Sequence, residues 1–391
     1  MSSVRVVTRW FAPVALRLSA AALVSWSVPV WAHASPVPDG GASSAAAAAD
    51  TDGGENRVPW HDSVVVWDNS VTTQTLGIGR DYQSRNPTYE MSFRLAPRYY
   101  LHESDTERLS VRGDLRLLRE FTNNDVTTER GEWTFDDSEL WLSYIRTLRG
   151  EVGTRTDLVL RAPSFECPTS NVSASNGKVL GLGVGIGVDQ EVPLRGSGAR
   201  VLSNTVLRAR SGYSYQFVDT LVPTNDRVGR VRLNPGGISL PSDQISGSAF
   251  PQHELSFTAR AETLLLRDLV FVSEIGLLYA RRYDLDSSVE VCGVVATGCV
   301  DVEGRADATR HSTSTLFNLE LSYSLHAGIL AGIGYANLAP QLGQDGRRRG
   351  VFYSQDARAS ASLTFVIDAL LQGSRVSGSR LTARAAAPSA Y

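Results

Sequence analysis

From about residue 60 onward, apolar and polar residues alternate with a period of two over stretches longer than soluble strands run. Between Tyr89 and Leu101 one face collects Tyr89, Met91, Phe93, Leu95, Pro97, Tyr99 and Leu101. The other collects Glu90, Ser92, Arg94, Ala96, Arg98 and Tyr100. Strand side chains point alternately to opposite faces, so such a segment has one oily and one polar side. The soluble norm is about five or six residues, whereas a tilted strand crossing a bilayer needs about 9–11. The pattern recurs from Leu316 to Leu325, where Phe317, Leu319, Leu321 and Tyr323 oppose Asn318, Glu320, Ser322 and Ser324. It recurs again from Ala359 to Asp368. Beyond position 34 no uncharged apolar run approaches the ~18 residues of a membrane helix, which excludes a helical membrane protein.

Twelve such segments are expected, near 70–82, 88–101, 109–121, 138–148, 151–161, 178–191, 199–217, 252–266, 269–282, 312–325, 328–338 and 358–370. Their connections separate by parity. Even-numbered turns are short: 102–108, 149–150, 192–198, 267–268 and 326–327. Odd-numbered loops are long: 122–137, 162–177, 218–251, 283–311 and 339–357, the first, near 83–87, being the exception. A soluble sandwich has no reason to sort loop lengths in this way. A membrane barrel does, with short periplasmic turns and long outer loops.

On this pattern, and on no residue motif, residues of about 70 to 370 resemble a monomeric bacterial outer-membrane β-barrel. The resemblance implies an all-β, up-and-down antiparallel transmembrane barrel occupying 60–370. It also implies aromatic girdles, with Tyr82, Tyr89, Phe121, Tyr279, Tyr283 and Tyr335 near the outer strand ends. Tyr99, Tyr144 and Tyr323 fall toward the inner ends. The N-terminus fits export: Arg5 and Arg9, an apolar Leu18–Ala32 and the small-x-small triplet Ala32-His33-Ala34 read as a signal peptide over 1–34. Residues 35–59, rich in Ala, Ser, Gly and Asp, read as a disordered linker. Such barrels usually end on an aromatic residue in the last strand. Here an Arg/Ser/Ala-rich tail, 371–391, follows Leu370 and is expected to be a flexible periplasmic extension.

The inward charges carry the functional information. With 38 basic and 41 acidic residues the net charge is −3, which excludes a dedicated nucleic-acid binder. Lys178 is the one lysine, so arginine supplies the cations. Parity turns Arg94, Arg98, Arg112 and Arg116 inward from the second and third strands, with Asp114 among them. Arg208 and Arg210 follow from the seventh. Glu254, Glu262, Glu274 and Glu320 turn inward from the eighth to tenth, with Arg260 among them. Arg208 and Arg210 are counted with the basic wall, and in a ring of twelve the second and third strands face the eighth and ninth. A basic wall opposite an acidic wall would set a transverse field across a wet lumen and orient dipolar solutes. The same residues could instead pair and plug a narrow bore, because buried charges must be paired or wet. Gly181, Gly183, Gly185 and Gly187 also turn inward, easing strand curvature or leaving a smooth strip.

The expected function is therefore a channel for small polar or charged solutes, with outer-membrane lipid and the barrel-assembly machinery as partners. The alternative is a closed barrel whose loops bind or adhere. An enzyme is a third class. Outer-membrane hydrolases of the phospholipase A type carry a His shortly before Ser-Asn-Gly. Here Ser175-Asn176-Gly177 has no nearby preceding His, and His253, at a strand mouth, is the one histidine inside an expected strand segment. A protease-like rim of Asp284, Asp286 and His311 has only loop acids to support it. No catalytic residue, cofactor or metal site is assigned. Cys292 and Cys299, seven apart in one outer loop, are the disulfide candidate of an exported chain, leaving Cys167 over. The 218–251 loop is long enough to be functional, either folded into the lumen or displayed outside.

Overall fold

The computed structural model describes residues 58–73, 76, 88–122, 131–149, 154–175, 177–193, 204–221, 249–266, 268–284, 288–295, 298–303, 310–326, 328–341, 348–354 and 357–372. The signal and linker readings over 1–34 and 35–59, apart from 58–59, and the tail beyond 372, lie outside them.

The chain runs as β1 (Val64–Thr72), β2 (Tyr89–Ala96), β3 (Arg98–Glu103), β4 (Glu107–Glu120), β5 (Trp133–Phe135), β6 (Ser138–Arg149) and β7 (Arg155–Cys167). A short helix α1 (Asn171–Ser175) precedes β8 (Lys178–Pro193), β9 (Asn204–Val218), β10 (Pro251–Leu266) and β11 (Leu269–Arg282). A separate hairpin follows, β12 (Ser288–Val295) with β13 (Gly298–Glu303). Then come β14 (His311–His326), β15 (Ile329–Pro340), β16 (Arg358–Val366) and the helix α2 (Ile367–Gln372).

All pairings are antiparallel. β1 is bonded to β2 on one side and to β16 on the other, so the sheet closes on itself. β3 continues the line of β2 past Pro97, and β5 is a short addition to β4. The ring therefore has twelve staves. Pro97 lacks the N–H a ladder needs, which is where the β2–β3 line breaks. The Pro97 carbonyl still accepts from Gly113 N at 2.9 Å. Closure leaves no unpaired edge, the condition for placing strands in lipid.

The two faces follow the alternation. Phe93, Leu95, Leu115, Leu158, Ile186, Phe257, Ile275 and Ile333 are among the large apolar residues left exposed on the outside. Glu90, Arg94, Arg98, Arg112, Asp114, Arg260 and Asn318 are among the polar ones buried inside. This inversion of the soluble pattern suits a wall whose outer solvent is hydrocarbon. Aromatics stack at the outer rim: Tyr89 on Phe121 at 5.1 Å and Phe93 on Trp133 at 6.2 Å. Tyr99 and Tyr323 are exposed at the other end.

Several segment bounds differ from expectation, among them the start of β9 at Asn204 in place of 199. The first strand is Val64–Thr72, not 70–82, so the first outer loop spans 73–88 and joins the long class. The strand expected at 151–161 runs from Arg155 to Cys167. The last segment stops at Val366 and turns into α2. Val64, Leu330, Val366 and Ala369 of α2 pack as one buried cluster at the periplasmic end. Ile367 N donates to Ser63 O at 3.0 Å, and Asp62 N to Asp368 Oδ1 at 3.1 Å. The residues before β1 and after β16 are thus tied together beneath the barrel.

Candidate functional site: the inner wall

The arginines expected on the second and third strands are brought together. Arg94 stands opposite Arg116, and Arg98 opposite Arg112, across the β2–β3/β4 ladder. Like charges directly opposite repel, and inserted carboxylates relieve the repulsion. Arg94 Nε donates to both oxygens of Asp114 at 2.8 Å. Arg116 reaches Glu90 at 3.0 Å and Asp136 at 3.4 Å. Arg358 of β16 meets the same Glu90 at 2.7 Å. Arg98 bonds Asp62 at 3.1 Å. Arg112 is buried in this group, 7% exposed.

The second group lies six staves round the ring. Arg208 pairs with Glu262 and, at 3.6 Å, with Asp189. Arg210 pairs with Asp189. Arg260 meets Glu262 at 2.9 Å and Glu274 at 3.7 Å. Glu254 accepts from Ser214 and from Gln216, each at 3.1 Å. Glu320 accepts from Ser322 at 2.5 Å. Both sets of charges occupy the staves that parity assigned. Each is mixed in sign, because Glu90 and Asp114 stand among the arginines and Arg208, Arg210 and Arg260 among the glutamates.

Further pairs on β4 to β7 extend the girdle. Arg161 of β7 pairs with Glu139 of β6 and lies over the Trp141 ring at 4.2 Å. Asp157 accepts from Arg108 at 2.9 Å and from Thr147 at 2.8 Å. Most of these pairs run round the wall, between neighbouring staves or staves two apart, while Arg260–Glu262 lies along β10. Parity could place Glu90, Glu139, Asp157 and Asp189 inside, but only the strand register shows whom each meets.

The inward glycines do not leave a bare strip. A Cβ on Gly181 would come within 2.8 Å of the Gln216 and Glu166 side-chain oxygens, and one on Gly183 within 2.5 Å of Ser164 Oγ. On β15, Gly332 and Gly334 give the same room to Ser362 and Ser360, each at 2.7 Å. Polar side chains from neighbouring staves lie flat across these glycines.

On β1, β10, β11, β15 and β16 the periplasmic end of the inner wall is apolar instead. Beside the Val64 cluster, Val270 and Val272 pack with Leu264, and Val272 is fully buried. Below this, in the turn before β1, His61 stacks on the Tyr100 ring at 4.1 Å. Its Nε2 is 3.5 Å from Glu103 and 3.8 Å from Asp62. Burial lowers the His61 pKa, but the two carboxylates outweigh it and hold it above its ordinary value of 6.5.

The histidines weighed for an enzyme face outward. His253 Nδ1 meets Tyr213 Oη at 2.8 Å, and His311 Nδ1 meets Tyr279 Oη at 2.5 Å. Asp284 pairs with Arg310 at 2.9 Å. Asp286 lies outside the described residues, as do the side chains of Ser175 and Asn176. Among the described residues no group of three His, Cys, Asp or Glu could hold a metal ion. The β12–β13 register sets Cys292 opposite Cys299. Their side chains, and nearly all of the 218–251 loop, lie outside the described residues.

No family model and no curated relative matches the chain. Solved structures do. An outer membrane channel from Pseudomonas putida F1 aligns at 10% identity and TM-score 0.44, over 81% of this chain and 100% of that one. The KdgM porin aligns at 6% and 0.31, over 77% and 98%. Outer membrane phospholipase A from Escherichia coli aligns at 9% and 0.34, over 80% and 98%. At such identities and TM-scores the fold is read from the strand pairing itself. A ring closed through β1 and β16, with an apolar outer wall and a charged inner wall, gives this chain the fold of a transmembrane antiparallel β-barrel of twelve staves.

Proposed function

We propose that the barrel is a narrow channel through which small polar or charged solutes cross the outer membrane passively. The observation that supports it is the inner wall: charged at mid-height, with its ion pairs running round the circumference. In this reading, side chains tied to neighbouring staves line a narrow bore that solute and water would share. Arg94, Arg98, Arg112 and Arg116 on one side, and Glu254, Glu262, Glu274 and Glu320 with Arg208 and Arg210 on the other, are the proposed lining. The outward apolar belt takes membrane lipid as its partner, and the barrel-assembly machinery would insert it. The test is conductance of the purified protein in a planar bilayer, with Arg94 and Arg98 reversed to Glu in parallel. Discrete openings whose ion selectivity moves toward cations in the variant support the channel. A silent bilayer from demonstrably folded protein overturns it.

A second reading has its own observation. Inner side chains such as Arg98, Asp157, Asn318 and Val272 are 4% exposed or less. Val64, Leu330, Val366 and Ala369 of α2 pack together at the periplasmic end. An apolar constriction can block ions by staying dry. A barrel shut there would serve through its outer loops. Wild-type silence combined with conduction by Val366→Asp would favour this reading.

A further inference from the structure

The outer rim carries a row of residues that the channel does not use. On adjacent staves β9, β10, β11 and β14, the register aligns Tyr215, His253, Arg281 and His311 side by side. All four share parity with the outward residues of their strands, such as Leu255, Phe257, Ile275 and Leu277. They therefore stand on the lipid-facing wall at its outermost turn. Staves lie about 4.8 Å apart, so the two histidines flank Arg281 within a span of about 10 Å.

The chemistry of the row is that of an anion cradle. Arg281 is exposed and presents a fork of N–H donors. Tyr213 Oη meets His253 Nδ1 at 2.8 Å, and Tyr279 Oη meets His311 Nδ1 at 2.5 Å. With each hydroxyl donating to Nδ1, the neutral imidazole carries its proton on Nε2 and offers that N–H as its donor. The same wall position recurs twice over: a tyrosine one step lower holding a rim histidine on either side of the arginine. Charges facing the row do not cancel it. Glu254, next to His253, turns into the lumen toward Ser214 and Gln216. Asp284, just beyond β11, is engaged by Arg310 at 2.9 Å. Below the row, exposed Leu255, Phe257, Ile275 and Leu277 continue down the wall as a surface for acyl chains.

We propose that this row binds the phosphorylated headgroup of an outer-leaflet lipid, with Arg281 as the charged contact and His253 and His311 as flanking donors. A free anion would have no use for the apolar wall beneath, so the occupant is a lipid. Loss of one charge-assisted contact is expected to cost about tenfold in affinity.

The test uses the full chain purified from outer membranes, in detergent. Binding of diphosphorylated lipid A is measured by native mass spectrometry against lipid A stripped of its phosphates. Inorganic phosphate serves as a competitor. Strand content by circular dichroism confirms that each variant is folded. The expected result is retention of the diphosphorylated lipid by the parent and about tenfold weaker retention by Arg281→Ala. A smaller loss is expected in His253→Ala and His311→Ala, and partial recovery in Arg281→Lys. Equal binding by folded Arg281→Ala overturns the proposal. So does equal binding of the phosphate-free lipid, which would mean acyl contact alone. Competition by inorganic phosphate at the lipid's own concentration would overturn the lipid assignment. The row faces away from the lumen, so a silent bilayer in the conductance experiment leaves this result independent.

Discussion

Arg210 of β9 lies across Gly187 of β8, in the volume that any side chain at 187 would need. The register sets the two directly opposite, and the guanidinium continues to Asp189 on the same stave as the glycine. The glycine is thus a slot for an arginine. Gly187→Leu is expected to expel Arg210 from Asp189 and to overpack the wall at a cost of about 1–3 kcal/mol. Urea unfolding of the protein in lipid vesicles would measure it. Arg210→Ala, which vacates the slot, should relieve much of the penalty in the double variant. Equal penalties with and without Arg210 would disprove the slot.

A buried arginine is expensive once its counter-ion is gone. Asp114 takes two hydrogen bonds from Arg94 Nε, and both side chains are 8% exposed. Asp114→Asn keeps the shape and removes the charge, leaving Arg94 beside Arg116 without that counter-ion. The expected loss is about 3–5 kcal/mol, read from the same unfolding curves. The double variant Arg94→Gln/Asp114→Asn should recover part of it. If the channel reading holds, the single variant should also shift selectivity toward anions.

Much of this architecture could be read from period-two alternation, because lipid outside and polar lumen inside give every stave the same contrast. The first strand escaped for a physical reason. Val64 and Val66 turn inward but are apolar, since they join the periplasmic cluster with Leu330 and Val366. Val64-Val65-Val66-Trp67 therefore shows no contrast between its faces. The helix α2 escaped because Ile367-Asp368-Ala369 continues the alternation of β16 through its first residues. Inward placement of Arg94 or Glu262 follows from parity alone. Their partners do not, because Arg94–Asp114 and Arg208–Glu262 depend on a strand register that one chain's pattern leaves open. Glu90 belongs to the polar face of its own strand, yet its pairing with both Arg116 and Arg358 needed the ring to close.

The outer wall gives a simple prediction of its own. Ile186 is near the middle of β8 and 61% exposed, so in the membrane it faces hydrocarbon. Ile186→Arg is expected to destabilise the barrel by about 2–4 kcal/mol in bilayers. An arginine replacing Leu207, also outward but nearer the periplasmic end of β9, should cost less. Depth-dependent unfolding in vesicles checks the order. A cost at 186 no greater than at 207 would contradict the placement of mid-β8 at the bilayer centre.

The periplasmic end should respond to pH through His61. Glu103 and Asp62 raise its pKa above 6.5 against the opposing effect of burial. A group whose pKa is higher in the folded protein favours folding in its protonated form. Its contribution is fully present below about pH 6.5 and fades as pH climbs through the raised folded value. Urea midpoints should therefore fall between pH 6 and pH 8.5 in the parent. The fall should be smaller in His61→Gln, which keeps a hydrogen-bonding side chain without the titration. Glu103→Gln should also flatten the curve, because it removes a carboxylate that raises His61. If His61→Gln follows the parent across that range, the dependence arises elsewhere and the His61–Glu103 contact contributes nothing to it.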